Sequence, residues 1–114
     1  MSDTIFDKII AKQIPAEIVY EDDWVLAFKD VNPQAPIHVL VIPKKKISGF
    51  SSLTDYDTIA GGEFLKRISQ VANQLDLDPE GYRVIFNQGK HGQQSVSYIH
   101  AHILGGKQLS WPPG

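Results

Sequence analysis

Two histidines stand at alternate positions of an otherwise apolar stretch near the end of the chain. Residues 98–104 read YIHAHIL, so histidine and aliphatic side chains alternate. In a strand, side chains at i and i+2 leave the same face, about 6.5 to 7 Å apart along the chain. We therefore predict a strand over residues 96–104 that directs His100 and His102 to one face and the aliphatic side chains into a core.

These residue types suit more than one kind of site. Two alternate histidines and a third from elsewhere, such as His38, can bind zinc through three nitrogens. The same histidines beside the polar, glycine-containing loop 87–94 can hold a phosphate or a nucleotide. Histidines of this kind can also be hydrogen-bonded parts of the structure with no ligand. The spacing leaves all three alternatives open.

Composition narrows the class of protein. The 114 residues suit one domain, and the net charge of −2 argues against binding to a nucleic-acid polymer. The only dense cationic run, three lysines at 44–46, is interpreted as a solvated turn. With no cysteine, disulfides and thiolate chemistry are excluded. No export signal or membrane-length apolar segment is evident, which argues against a membrane and favours the cytoplasm, and the nucleus as well in a eukaryotic source.

Hydrophobic periodicity predicts two helices and five strands. The helices are expected over residues 5–10 and 62–75. The strands are expected over residues 17–20, 24–28, 38–42, 82–86 and 96–104. Strand hairpins without a regular alternation of strand and helix favour an α+β fold with an antiparallel sheet. If the third and fifth strands are neighbours, His38 joins the other two histidines.

Segments along almost the whole chain resemble the histidine triad (HIT) superfamily, in its Hint branch of nucleotide-binding proteins. The signature is IHAHILGG at residues 99–106, with QSV before it and the tail WPPG after it. Five further segments match in order and spacing: 5–10, 14–16, 21–23, 30–38 and 41–44. The resemblance implies a single HIT domain over residues 1–114, with a five-stranded antiparallel sheet and two helices, that forms a homodimer with a continuous sheet.

The same resemblance implies an activity and its residues. The activity is that of a purine nucleoside phosphoramidase, which binds an AMP or GMP moiety and cleaves its P–N bond through a nucleotidyl-histidine, with no cofactor. It implies that His100 is the nucleophile and that His102, Ser95 and His38 assist it, while Trp111 lies near the partner protomer's site. The residues implied to line the nucleotide site are Ile5, Phe6, Ile9, Phe28, Asp30 and Val31 at the nucleoside and Asn87, Gln93, Ser95 and Val96 at the phosphate, beside His100 and His102.

Two positions depart from the family pattern. The first triad histidine is replaced by Tyr98, and Gln93 stands where the family commonly has the later of two glycines. In the family, the backbone carbonyl of the first triad position orients the nucleophile, and a tyrosine retains that carbonyl. We expect Tyr98 to preserve nucleotide binding and to reduce or re-tune hydrolysis. The alternatives are a nucleotide-binding regulatory or scaffold protein with vestigial catalysis, and a metallohydrolase that uses His38, His100 and His102.

Overall fold

The chain folds into one five-stranded sheet with a helix on each face. The structure, a computed structural model, describes residues 3–114. The sheet is antiparallel throughout, in the order β1-β2-β3-β5-β4, which confirms the predicted α+β fold. The elements are α1 (Ile5–Ile10), β1 (Ile18–Glu21), β2 (Val25–Lys29), β3 (Ile37–Pro43), a 3-10 helix (Phe50–Asp55), α2 (Thr58–Gln74), β4 (Tyr82–Phe86) and β5 (Ala101–Gly105).

Alternation along the central strands buries both faces of the sheet. On one face, Val41 and its neighbours pack against α2 through side chains such as Phe64. On the other face, Leu40 and its neighbours pack against α1 through Phe6 and Ile9. Because both faces are covered, β2 and β3 are apolar along almost their whole length, as strands buried on both sides are.

The pairing of β3 with β5 brings distant histidines together. Leu40 lies opposite His102, and His38 lies opposite Leu104. His38 and His102 are 64 residues apart in sequence, yet they occupy diagonal positions on one face of the sheet. The condition that the third and fifth strands be neighbours is therefore met, and the shared face is the one that packs against α1.

Strand β5 begins later than the alternating pattern predicts. The strand starts at Ala101, so the prediction of a strand from residue 96 is wrong over its first half. There, the Tyr98 N–H donates to the Val96 carbonyl at 2.9 Å, and the Ile99 N–H donates to the Ile47 carbonyl at 2.8 Å. A local turn thus takes the backbone groups that a ladder would use, and His100 lies just before the strand.

Helix α2 begins at Thr58, one turn before the predicted start at residue 62. Two consecutive glycines at 61 and 62 weaken a helix, which is why the sequence places the boundary after them. The structure offsets this cost with an N-cap, because Asp57 Oδ2 accepts the Ala60 N–H at 2.8 Å. Neither α2 nor another helix within residues 3–114 is long and apolar enough to cross a bilayer.

One carboxylate organises the turn between β1 and β2. Asp22 Oδ1 accepts the N–H groups of Trp24 and Val25 at 2.8 and 2.9 Å. Its Oδ2 accepts the Tyr20 hydroxyl at 2.7 Å and Arg67 Nε of α2 at 2.9 Å. Partial burial raises the pKa of Asp22, but these donors outweigh it and hold that pKa well below its usual range. The turn is thereby tied to the helix above it.

We expect Asp22→Ala to lower the free energy of unfolding at pH 7 by about 1–3 kcal/mol, because it removes a charged acceptor from partly buried donors. Chemical denaturation measures this loss, and the exposed neighbour Asp23 gives a matched control, Asp23→Ala, with a change within about 0.5 kcal/mol. The Asp22 contribution should fade as the pH falls below about 4, since the unfolded carboxylate then binds a proton first. Equal losses in the two variants would contradict this role.

Candidate active site

His100 is held in one tautomer by the backbone of Tyr98. Its Nδ1 lies 2.8 Å from the Tyr98 carbonyl oxygen, which can only accept, so Nδ1 carries the proton and Nε2 a lone pair. His100 is buried, and its ring centroid lies 5.0 Å from that of Phe6. Burial lowers the pKa of His100 against the opposing effects of the carbonyl and Asp30. At neutral pH, His100 therefore presents a neutral ring with a free Nε2 lone pair.

His38 is held in the opposite tautomer. The Gln34 backbone N–H donates to His38 Nδ1 at 3.0 Å, so Nδ1 is unprotonated and the proton of the neutral ring is on Nε2. This Nε2 lies 2.9 Å from His102 Nδ1 and 3.4 Å from a carboxylate oxygen of Asp30. Burial lowers the pKa of His38, although Asp30 opposes the shift. His38 is thus a neutral donor to His102.

His102 completes a directed chain of hydrogen bonds. Because its Nδ1 accepts from His38, the proton of neutral His102 is on Nε2. Burial, then the neighbouring His100 and His38, lower its pKa to about 4 against the effect of Asp30. The rings of His100 and His102 have centroids 5.0 Å apart. The site therefore places a lone pair beside an N–H donor, which suits attack on phosphorus together with stabilisation of a phosphate oxygen.

The residues implied to hold a purine divide into a buried floor and an exposed rim. Phe6, Ile9 and Phe28 are buried in one cluster, where the rings of Phe6 and Phe28 meet edge to face at 5.6 Å. Ile5 and Val31, which are near them in sequence, have exposed fractions of 52% and 99%. Ile5 and Val31 are thus open to solvent, and the contact of these five residues with a purine stays a prediction.

Asp30 connects this surface with the histidines. Its Oδ1 accepts the Asn32 N–H at 2.8 Å, which stabilises the turn after β2. Its other oxygen is the one near His38 Nε2. The half-buried carboxylate therefore fixes the loop and also faces the site. Its contact with ribose hydroxyls stays a prediction.

The loop at the predicted phosphate end keeps a glycine-like backbone. Gln93 has a φ of +62°, in the left-handed region that glycine adopts at little cost and other residues at a cost of roughly 1 kcal/mol. Asn87 Nδ2 donates to the Gly92 carbonyl at 2.7 Å and closes the loop from inside. Ser95 is exposed, and Val96 packs against the α1 face of the core. Gln93 therefore has a backbone conformation that a glycine adopts more easily.

Two glutamines to which the sequence assigns no role fix this loop to the rest of the protein. Gln88 Oε1 accepts the Ser51 N–H at 2.9 Å. Gln94 Oε1 accepts the Gly89 N–H at 3.0 Å, and its Nε2 donates to the Ser48 carbonyl at 2.7 Å. The sequence gives no signal for the bonds to Ser51 and Ser48, because these residues lie 37 and 46 positions upstream of the glutamines.

The lysine run at 44–46 is only partly the solvated turn that its composition indicates. Lys45 is exposed, whereas Lys44 and Lys46 are half-buried. Lys44 pairs with Glu21 of β1 and Lys46 with Asp7 of α1, each at 2.8 Å. The Lys46 ammonium also lies 5.6 Å from the centre of the Tyr98 ring. Composition does not indicate these two ion pairs, because the carboxylates are far away in sequence.

Asp30, His38 and His102 form a candidate cation-binding group. Each offers one ligand atom, and these atoms lie within 4.8 Å of one another. The metal alternative weighed from the sequence had His100 as the third ligand, whereas the structure puts Asp30 in that place. Two imidazole nitrogens and a carboxylate oxygen suit zinc. A cation between the two imidazoles would have to replace the proton that joins them.

Trp111 lies beside β4, at the edge of the sheet. Its side chain is 79% exposed, and the nearby Arg83 guanidinium of β4 lies 6.0 Å from the indole ring. Arg83 Nη2 also donates to the Ser110 carbonyl at 2.8 Å, which fixes the tail on the edge of the sheet. The predicted contact of Trp111 with a partner's site involves a second chain and stays a prediction.

Known proteins resemble this chain over nearly its whole length. The family model described as the HIT domain matches residues 11–109. A 14 kDa zinc-binding protein of Zea mays is 51% identical over 115 residues, covering 99% of this chain and 89% of its own length. Adenylylsulfatase HINT1 of Arabidopsis thaliana is 48% identical over 115 residues, covering 99% of this chain and 78% of its own.

Solved structures agree with the architecture. The HIT family hydrolase from Legionella pneumophila superposes with a TM-score of 0.93 at 44% sequence identity, covering 98% of this chain and all of that one. The resemblance seen in the sequence, the five-stranded sheet and these matches point to one family. The chain belongs to the HIT domain family, in its Hint branch.

Proposed function

We propose that this protein is a purine nucleotide-binding hydrolase that cleaves the P–N bond of nucleoside 5′-phosphoramidates of the AMP-amine or AMP-lysine type. The observation that most directly supports this proposal is the neutral His100, which presents its Nε2 lone pair beside the N–H donor of His102. The similarity to a HIT family hydrolase and to an adenylylsulfatase supports hydrolysis at an adenylyl group.

In the first step, His100 Nε2 attacks the α-phosphorus and the P–N bond to the amine breaks. The leaving nitrogen takes a proton from solvent, with the exposed Ser95 hydroxyl as its hydrogen-bond partner. As the bond forms, positive charge develops on the imidazole, and the Tyr98 carbonyl stabilises it through the Nδ1–H bond. The His102 Nε2–H donates to a phosphate oxygen. The product is a nucleotidyl-histidine and a free amine.

In the second step, water attacks phosphorus and the bond to His100 breaks. This releases the nucleoside monophosphate and restores the lone pair on Nε2. One proton of the water stays on the new phosphate oxygen, and the other passes to solvent. The rate enhancement in this scheme comes mainly from positioning and charge stabilisation, as in other phosphoryl transfers. Each step uses groups of the chain and water alone.

Zinc binding is a second candidate function, and one specific observation favours it. The grouping of Asp30, His38 and His102 gives three ligand atoms, and the Zea mays relative is named a zinc-binding protein. Zinc at these atoms would compete with the proton between His38 and His102. It would displace the Nε2 proton of His38, whose Nδ1 already accepts the Gln34 N–H, and would leave the Nε2–H donor of His102 in place.

Steady-state hydrolysis of a fluorogenic adenosine phosphoramidate tests the main proposal. We expect turnover by the wild-type protein and a loss of at least about a thousandfold in kcat for His100→Ala, because the nucleophile is removed. AMP binding, measured by calorimetry, should survive the substitution. Wild-type turnover equal to that of His100→Ala, with AMP binding retained, would refute the enzyme and leave a nucleotide-binding regulatory protein.

The same assay distinguishes hydrolysis without a metal from zinc-dependent hydrolysis. Exhaustive chelation, with elemental analysis of the protein before and after, should leave the turnover unchanged. If the activity disappeared with the metal and returned with added Zn²⁺, a metallohydrolase would replace the scheme above.

The hydrogen-bond chain predicts different effects for two substitutions of His38. Glutamine can place an amide N–H near the position of the imidazole Nε2, whereas asparagine is too short to reach His102. We expect His38→Gln to keep kcat/KM within about threefold and His38→Asn to lower it about tenfold or more, the range of a lost buried hydrogen bond to a reacting group. Nitrogen-15 spectra of labelled histidine should show the Nε2–H tautomer of His102 in His38→Gln but a mixture in His38→Asn. Similar spectra for both variants would contradict the chain.

We propose further that two copies form a homodimer through β4, which would make the two sheets continuous. Strand β4 is an edge of the sheet, and its Val84 side chain is 38% exposed. An open edge with an exposed apolar side chain readily pairs with another strand. A twofold axis beside β4 would pair two antiparallel copies of this strand and carry each Trp111 tail towards the other protomer.

Val84→Asp should produce a monomer, because it places two charges against each other at the twofold axis. The other edge strand offers a matched control, since Ile18 of β1 is 40% exposed. Size-exclusion chromatography with light scattering should therefore show a dimer for the wild type and Ile18→Asp, and a monomer for Val84→Asp. A dimer that Ile18→Asp abolishes, or a monomeric wild type, would refute the β4 interface.

A further inference from the structure

Tyr98, which replaces the first triad histidine, makes a hydrogen bond through its side chain to a residue that is distant in sequence. Tyr98 is 1% exposed, and its hydroxyl donates to the carbonyl of Pro43, the last residue of β3, at 2.5 Å. This bond crosses 55 positions of sequence. It fixes the segment before β5 to the end of a central strand.

The backbone at Tyr98 needs such an anchor because it lies outside the sheet. Strand β5 begins three residues later, and the Tyr98 N–H is used in the turn to Val96. The Tyr98 carbonyl is the group that orients His100. No ladder of strand hydrogen bonds fixes this peptide. Its N–H, that of Ile99, donates to the Ile47 carbonyl at 2.8 Å, and the Tyr98 side chain adds a second point of attachment to the residue that carries the carbonyl.

The aromatic ring of Tyr98 also reaches the purine side of the site. It meets the Phe6 ring edge to face at 6.1 Å, and Phe6 meets the His100 ring at 5.0 Å. The three rings form a continuous contact from the anchored phenol to the nucleophile. Edge-to-face pairs of this kind add to the stability gained from burial alone.

A charged bridge connects the same ring to the N-terminus of α1. The Lys46 ammonium lies over the Tyr98 ring and pairs with Asp7. Asp7 belongs to the capping box of α1, in which its carboxylate accepts the Thr4 N–H at 2.7 Å and the Thr4 hydroxyl accepts the Asp7 N–H. Helix α1, which supplies Phe6 and Ile9, is therefore connected to Tyr98 in two ways: by the ring contact with Phe6 and by the ion pair of Lys46 with Asp7.

We propose that Tyr98 is a positioning residue that sets the purine-binding helix and the nucleophile with one anchor, the hydrogen bond from its phenol to Pro43. The proposal rests on the function proposed above, and it assigns to this side chain a role that an imidazole at the same position does not fill. An imidazole is shorter than a phenol, so a histidine there cannot place its donor at the same distance from the backbone.

The environment keeps the phenol in its donor form. Burial, and then Asp7 and Tyr56, raise the pKa of Tyr98 well above its ordinary value. The hydroxyl therefore stays protonated throughout the neutral and alkaline range in which the histidines are neutral. The anchor is a constant feature of the site and not a switch.

The test compares two phenols that make the same kind of bond. Tyr98→Phe removes only the hydroxyl that binds Pro43. The matched control is Tyr56→Phe, because Tyr56 donates to the Lys45 carbonyl at 2.5 Å in the neighbouring turn. Thermal unfolding confirms that both variants fold. The readouts are kcat for the adenosine phosphoramidate, AMP affinity, and the nitrogen-15 spectrum of His100.

We expect Tyr98→Phe to lower kcat about fivefold to tenfold, the effect of one lost hydrogen bond, and to show a second tautomer of His100. Tyr56→Phe should leave kcat within about twofold and His100 in its single Nδ1–H tautomer. Lys46→Met, which removes the bridge to Asp7 but retains the phenol, should weaken AMP binding while the His100 spectrum stays that of the wild type.

Wild-type kcat and a single His100 tautomer in Tyr98→Phe would overturn the proposal, as would equal losses in Tyr98→Phe and Tyr56→Phe. The spectra also separate this inference from the proposed activity. If the wild type hydrolyses no phosphoramidate, the proposed function fails, and the positioning role is still decided by whether the His100 tautomer changes in Tyr98→Phe.

Discussion

The site depends on the antiparallel pairing of β3 with β5. Its register places His38 and His102 on one face at diagonal positions, close enough for the 2.9 Å bond between their rings. A shift of the register by one residue would turn one imidazole to the opposite face and bury it under α2. The apolar residues that alternate with the histidines prevent such a shift, because Ala101 and Ile103 belong to the core on that face. The hydrophobic pattern thus determines the position of the polar chemistry.

Once the register is set, backbone groups decide what each histidine can do. An N–H from Gln34 faces His38 and a carbonyl from Tyr98 faces His100, so the two rings carry their protons on opposite nitrogens. Burial then lowers the pKa of all three imidazoles, which keeps them neutral so that these tautomers are the populated forms at neutral pH. The result is a nucleophile and a donor next to each other, made from the same residue type. The difference between them starts from main-chain groups at His100 and His38, and the His38 side chain passes it on to His102.

Much of the fold could be predicted because it depends on local periodicity. The apolar run at 38–42 located β3, the two-residue alternation located the second half of β5, and the helical spacing located α2 to within one turn. Most errors arise where a group that is distant in sequence accepts a backbone hydrogen bond or neutralises a charge. The Ile47 carbonyl receives the N–H of Ile99 and helps to displace the start of β5. Composition alone contains no information on this partner. The error at α2 is local, because the Asp57 cap supports a helix start ahead of two glycines.

The resemblance to a family located the histidines but not the role of Tyr98. A triad pattern describes side chains only. The residue at the first position, Tyr98, orients His100 through its backbone carbonyl, which every residue type has. Such a position can accept a new side chain if that side chain keeps the peptide in place. Here the peptide lies outside the sheet, and the phenol bond to Pro43 joins the backbone bond from Ile99 to Ile47 in supplying the constraint that a strand would otherwise provide. The loss of a triad imidazole therefore removes one donor from the site, while the new side chain helps to hold the carbonyl that orients the nucleophile.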